Sequence, residues 1–161
     1  TQLTKMGTSM KYPLTKGLGL FGVSAGAHLS MMFAYSAPQL SILPIKFVIN
    51  WVGPADFHKE AFEGAAAGIP GPKLALIINA INKNPEDFPE DELEQIVQST
   101  SPVHFINSNS APILCAYGNK DDVVPMGNQI AIKKAILNAG IKSEITFSFP
   151  LFEFISVFVK I

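Results

Sequence analysis

Leu18-Gly19-Leu20-Phe21-Gly22-Val23-Ser24-Ala25-Gly26-Ala27-His28-Leu29 is the stretch on which the fold turns. Its first half, 18–23, is a short apolar run bounded by glycine, and its second half opens a helical pattern that continues to about Ser36. They meet at Gly22-Val23-Ser24-Ala25-Gly26, which fits Gly-x-Ser-x-Gly in the context that gives the pattern meaning, after an apolar strand and before a helix. A serine at so abrupt a turn is expected in a strained conformation, with glycine on both sides because larger side chains two residues away would collide with the strand and the helix. The Ser24 hydroxyl then projects at the carboxyl end of the strand, where the amide of Ala25 and the helix dipole can stabilise an oxyanion. A plain Gly-Ser turn with Ser24 as helix N-cap is the alternative for these five residues.

Outward from this turn, strand-like and helix-like segments alternate. Residues 45–51, Ile-Lys-Phe-Val-Ile-Asn-Trp, are β-branched and aromatic and stop at Gly53-Pro54, so they read as a second strand. The intervening helix has the right length for a crossover between parallel strands. Ile113 to Tyr117, ending at Gly118, reads as a third strand, and Glu144 to Phe149, ending at Pro150, as a fourth. Between these, Met126 to Asn138 has helical spacing and Gly140 caps it. Near-continuous apolar strands alternating with helices predict an α/β domain with a mostly parallel sheet and helices on both faces. Residues 57–100 are too long for a plain crossover and predict a helical cap insertion within one domain spanning 1–161. Pro89 is expected at the first helical position of its acidic helix, with Glu90, Asp91 and Glu92 over the positive end of the dipole. The six acids between Glu86 and Glu94 are expected to be solvated rather than to hold a cation.

Composition excludes several classes of function. The 161 residues are 48% hydrophobic and 16% charged, which rules out disorder. A net charge of −1 supplies no basic field for a phosphate backbone, so no nucleic-acid partner is expected. All twelve basic residues are Lys, which removes any bidentate guanidinium clamp. The single cysteine, Cys115, permits no internal disulfide or multi-cysteine metal site, and its place in an apolar strand predicts a buried, inert thiol. His-Glu-x-x-His is absent, so no metal is expected. No apolar run reaches the roughly 18–20 residues of a membrane span, and Thr1 to Lys16 has no signal-peptide apolar segment, so no compartment is assigned.

A second constellation supports chemistry at Ser24. Ala111-Pro112 leads into the third strand, and Gly118-Asn119-Lys120-Asp121-Asp122-Val123-Val124-Pro125 follows it, putting a carboxylate on a loop at the strand's carboxyl end. That suits the Ser, Asp, His chain order of a catalytic triad. Asp121 is the better candidate acid, with Asp122 expected to be solvent-exposed or an N-cap. On these residues the chain resembles the α/β-hydrolase superfamily, and within it carboxylesterase and acetyl-xylan-esterase-like enzymes whose elbow reads Gly-x-Ser-Ala-Gly-x-His-Leu. The match includes Gly22, Ser24, Ala25, Gly26, His28 and Leu29, with Ala27 a departure; Gly53-Pro54-Ala55-Asp56-Phe57 and Ser101-Pro102-Val103 resemble later family segments. The resemblance covers roughly 17–150. It implies hydrolysis of small-molecule carboxylic esters through an acyl-enzyme on Ser24, without cofactor, though peptidases share the fold.

The resemblance also defines what is lacking. The family's triad histidine lies shortly after a proline like Pro150, but residues 151–161, a phenylalanine-rich tail, contain none. No His-Gly-Gly oxyanion loop lies between Thr1 and Gly17. Without a base a serine hydroxyl is a very weak nucleophile, so the chain is expected to be impaired or inactive as it stands. Of the three histidines, His28 is expected to pack structurally and His104 to lie far from the site; His58, after the Gly53-Pro54 loop, is the candidate substitute base. The alternative is a hydrolase-like module that binds without catalysis. The strands resemble half of the family's sheet, which would leave the first strand as an exposed apolar edge. Self-association through that edge or through the tail is therefore expected. Phe147, Phe149, Phe152, Phe154 and Phe158 fit a shifted frame or truncation after Pro150, a docked element, or an interface.

Overall fold

A computed structural model describes residues 17–65 and 70–141, and the backbone of 154–157. The expected strand at Glu144 to Phe149, most of the tail and part of the cap lie outside the described residues. In chain order the elements are β1 (Leu18–Val23), α1 (Ala25–Ser36), β2 (Ile45–Trp51), α2 (Gly71–Ile78), α3 (Glu90–Thr100), β3 (Ile113–Gly118), α4 (Gly127–Asn138) and β4 (Phe154–Val157). The sheet order is β1-β2-β3-β4. β1 pairs parallel with β2 and β2 parallel with β3, while β4 runs antiparallel to β3. The three parallel strands therefore deliver their carboxyl ends, and the loops after Val23, Trp51 and Gly118, to one edge of the sheet.

Burial follows from strand and helix periods. In register, Leu20 lies beside Val48, which lies beside Ile113, and Asn50 lies beside Cys115, so these residues share one face. On that face Met31, Ala34 and Tyr35 of α1 and Ile132 and Ile136 of α4 pack with Val48, Ile113, Cys115 and Tyr117 into one core. Met31, Ala34 and Tyr35 recur at the three- and four-residue spacings that align side chains on one helix face. α4 ends in a Schellman motif: Gly140 takes φ 69, its N–H reaches Leu137 O, and Ile141 N–H reaches Ile136 O. On the other sheet face Phe21 (62% exposed), Val23, Phe47 and Trp51 (43% exposed) are open to solvent. A parallel sheet normally has both faces covered, and among the described residues this face is covered little.

The insertion between β2 and β3 is helical, as expected, with its own small core of Phe57, Ala61, Phe62, Ala75 and Val97. Pro89 is not the first residue of α3 but its N-cap position, with extended backbone, and Leu93 N–H bonds to its carbonyl. Proline's fixed φ suits either position, and here the chain turns into the helix one residue later.

Candidate active site

Ser24 follows β1 directly and precedes α1, with φ 51 and ψ −123. Positive φ in a non-glycine residue brings Cβ against its own backbone, at a cost of order 1–3 kcal/mol, and persists only where the surroundings impose it. The imposing contacts are visible. Ser24 N–H is fixed to Trp51 O at 2.9 Å, and Ser24 O accepts from Ala27 N–H at 3.0 Å and His28 N–H at 3.1 Å as the helix begins. A Cβ on Gly22 would sit 2.3 Å from the carbonyl carbon and oxygen of Gly26 and 2.4 Å from Ala27 N, so strand and helix approach too closely for any side chain there. The expectation for Gly26 is corrected: a Cβ added at Gly26 meets nothing within 4 Å, because that side of the helix start faces open space. Ser24 does not act as a side-chain cap, and among the described residues its hydroxyl makes no hydrogen bond. Ala25 is the first helical residue, and its N–H is one of the donors a helix cannot satisfy itself.

Asp121 lies in the turn after β3, two strands from Ser24, which at a strand spacing of ~4.8 Å separates the loops by about 10 Å. Its N–H bonds to Gly118 O, and its Oδ1 accepts from Val123 N–H and Val124 N–H, both at 2.9 Å. That arrangement points the carboxylate in a defined direction and leaves Oδ2 without a partner among the described residues. Asp122 is exposed and does not cap α4, whose N-cap position is Met126.

The histidines divide as follows. His28 is buried, its Nδ1 lies 3.1 Å from Pro54 O, and its ring packs edge-on to Phe57. Burial pulls its pKa below the ordinary value, against the hydrogen bond to Pro54. His58 is held at both nitrogens: Nδ1 lies 2.5 Å from Asp56 Oδ1 and Nε2 3.0 Å from Glu94 Oε1 on α3. Burial lowers its pKa, but hydrogen bonds and charge from Glu94 and Asp56 outweigh that and leave it raised. His104 lies in the 3-10 turn Pro102–Phe105, its ring 5.2 Å from that of His58. Among the described residues no imidazole nitrogen of the three hydrogen-bonds to the Ser24 hydroxyl. The sheet thus brings the loops of Ser24 and Asp121 to one edge, and among the described residues no imidazole hydrogen-bonds to either side chain. Cys115 is fully buried and its thiol is pushed up to about 12, chiefly by burial, which makes it inert as expected.

Sequence reasoning passed over a buried polar frame behind this edge. Asn50 donates to Tyr117 Oη at 2.8 Å and accepts from Gly53 N–H at 2.8 Å, and Tyr117 Oη donates to Gly53 O at 2.6 Å. Asn128 Oδ1 accepts from the N–H groups of Ala55 and Asp56, while its Nδ2 donates to Ala61 O. Val52, beside Ser24 at the same edge, also has positive φ, 49, an outlier for a β-branched residue. Asn50, inside the apolar run Phe47–Trp51, was the available signal; Asn128, in a helix that also carries Gln129, Lys133, Lys134 and Asn138, gave none.

With the strained serine at the strand-to-helix turn and the carboxylate two strands away, the comparison with known proteins is decisive. Residues 7–136 match the BD-FAE family. The chain belongs to that family. No curated protein matches the sequence. Among solved structures the BD-FAE chain is similar to a truncated carbohydrate esterase from gut microbiota, at TM-score 0.55 and 22% identity over 85% of this chain and 52% of that one. It is similar also to a bifunctional GH43-CE protein of Bacteroides eggerthii, at TM-score 0.60 and 20% identity over 86% and 19% of the two chains. An acylaminoacyl peptidase in complex with Z-Gly-Gly-Phe-chloromethyl ketone superposes at TM-score 0.59 and 16% identity over 86% and 20%. These likenesses show an α/β-hydrolase fold in part: the chain spans about half the length of the carbohydrate esterase, 52%.

Proposed function

We propose that this BD-FAE chain carries the nucleophile and the acid of a serine hydrolase of small-molecule carboxylic esters, and that it is strongly impaired as it stands. The observation that carries the reading is the conformation of Ser24, held at φ 51 by a strand and helix that touch across Gly22. Ser24 Oγ adds to the ester carbonyl and gives up its proton to water, Ala25 N–H donates to the oxyanion, the alcohol leaves as the intermediate collapses, and water hydrolyses the acyl-Ser24 to the acid; Asp121 Oδ2 stands where a triad carboxylate would orient a histidine, which residues 151–161 do not supply. His58 does not replace it, because both its nitrogens are engaged by carboxylates. Loss of a triad member leaves catalysis of at most about 10³–10⁴-fold over water, and a single identified oxyanion amide lowers that further.

The test is a fluorophosphonate probe with Ser24→Ala beside it, and a short-chain nitrophenyl ester. Slow labelling confined to Ser24, with ester turnover within that limit, is the expected result. Absence of Ser24-dependent labelling from folded protein overturns the reading in favour of a module that binds without hydrolysis, which the apolar face of Phe21, Val23 and Phe47, exposed among the described residues, would then serve. Fast labelling abolished by His58→Gln would restore His58 as base. β1 is an edge of the described sheet, and the same face and edge are proposed to support self-association, read by sedimentation at rising concentration.

A further inference from the structure

The expectation that no metal binds rested on contiguous motifs, whereas the fold brings ligands together from separate segments. Asp56 and His58 lie on the loop after β2, and His104 lies in the turn Pro102–Phe105 that precedes β3. Each offers one ligand atom, and the three atoms lie within 4.8 Å of one another. We infer that Asp56, His58 and His104 bind one divalent transition-metal ion of the zinc class.

Three features support the assignment. Two imidazole nitrogens with one carboxylate form a borderline donor set, suited to Zn²⁺, Co²⁺ or Ni²⁺ rather than to Mg²⁺ or Ca²⁺, which take oxygen. Metal–ligand bonds of about 2.0–2.2 Å in a tetrahedron place ligand atoms roughly 3.3 Å apart. The ion therefore takes the place of the proton between His58 Nδ1 and Asp56 Oδ1, which move apart by somewhat under ~1 Å, while the exposed His104, its ring 5.2 Å from that of His58, closes in. Second, His58 already has the outer partner that metal-bound imidazoles use: with Nδ1 on the ion, Nε2–H donates to Glu94 Oε1 at 3.0 Å and fixes the tautomer.

Third, the two ligand-bearing segments are held together before any ion arrives. Phe57 N–H donates to the buried Ser101 Oγ at 2.9 Å, Val103 N–H to Ala55 O at 3.2 Å, and Asn128 fixes the amides of Ala55 and Asp56. A backbone so braced loses little freedom on binding, which leaves only the ligand side chains to be ordered. Asp56 and His104 also line a cavity of about 840 Å³, shared with Glu60, Asn107 and Lys134. The fourth coordination position opens into that cavity, leaving room for water or a small anionic ligand. Neither Ser24 nor Asp121 lines the cavity, so this site stands apart from the proposed ester chemistry and does not depend on it.

The experiment titrates the metal-free 161-residue chain with Co²⁺, following its visible d–d absorption, and with Zn²⁺ by calorimetry. One Co²⁺ per chain, displaced by Zn²⁺, is expected. His104→Ala, at an exposed position, should abolish saturable binding without changing the unfolding of metal-free protein, and Glu94→Gln should weaken binding about 10–100-fold. No saturable binding of either ion to folded chain overturns the inference, and so does binding that survives in His104→Ala and in His58→Gln, since the ion would then sit elsewhere.

Discussion

Replacing Ser24 by glycine tests whether the turn is strained, and the answer can be read without any substrate. At φ 51 and ψ −123 the serine occupies backbone space natural to glycine. The strain is of order 1–3 kcal/mol. Glycine removes it but adds about 0.5–1 kcal/mol of chain entropy to the unfolded state. The difference leaves Ser24→Gly more stable than the parent by up to about 2.5 kcal/mol. Ser24→Ala keeps the Cβ and so keeps the strain; its exposed hydroxyl has no partner among the described residues, and its stability should fall within ~0.5 kcal/mol of the parent. Urea unfolding of the three proteins at equal slope m measures both differences, and the melting point should rise by a few degrees for Ser24→Gly alone. If Ser24→Gly is less stable than Ser24→Ala, the turn stores no strain, and the argument from backbone conformation to nucleophile collapses. A stabilised but unreactive Ser24→Gly is the pattern expected where function is held at the expense of stability.

Gly22→Ala should destabilise by about 1–3 kcal/mol or prevent folding, because its Cβ meets rigid backbone of Gly26 and Ala27, whereas Gly26→Ala should be neutral or stabilising by up to ~1 kcal/mol in chemical denaturation. Tyr117→Phe takes the donor from Gly53 O and leaves Asn50 Nδ2 only the weak contact to Cys115 Sγ at 3.6 Å, at a fully buried site, and should cost about 1–3 kcal/mol, read by the urea midpoint. In EDTA, the clasp between His58 and the carboxylates of Asp56 and Glu94, with His104 beside it, should stabilise the chain below about pH 6.5, the ordinary histidine value. Its raised folded pKa means that this contribution is lost as pH rises through that value. The stability difference between parent and His58→Gln should therefore shrink from pH 6 to pH 8, by at most about 1 kcal/mol for so accessible a group. The buried His28, shifted downward, works in the opposite sense and cancels in that comparison.

Sequence alone determined the local frame. Strand, turn and helix at 18–36 were legible because glycine bounds the apolar run and the spacing then changes, and β2, β3 and α4 were legible from β-branched runs ending at Gly53 and Gly118 and from the Gly140 stop. Each of these signals lies within a few residues, where backbone sterics and periodicity act. The same local reasoning placed Ser24 and Asp121 at strand ends and Cys115 in the core. Only the tertiary structure decided the rest. That Gly22 is obligatory and Gly26 is not depends on what packs against each, and a pattern treats them alike. That His58 faces Glu94 from α3 rather than Ser24, that His104 approaches it, and that Asn50, Tyr117 and Asn128 brace the loop depends on contacts spanning dozens of residues. Such contacts are set by how the cap folds back on the sheet edge, and the identity of a polar residue does not by itself select its partner.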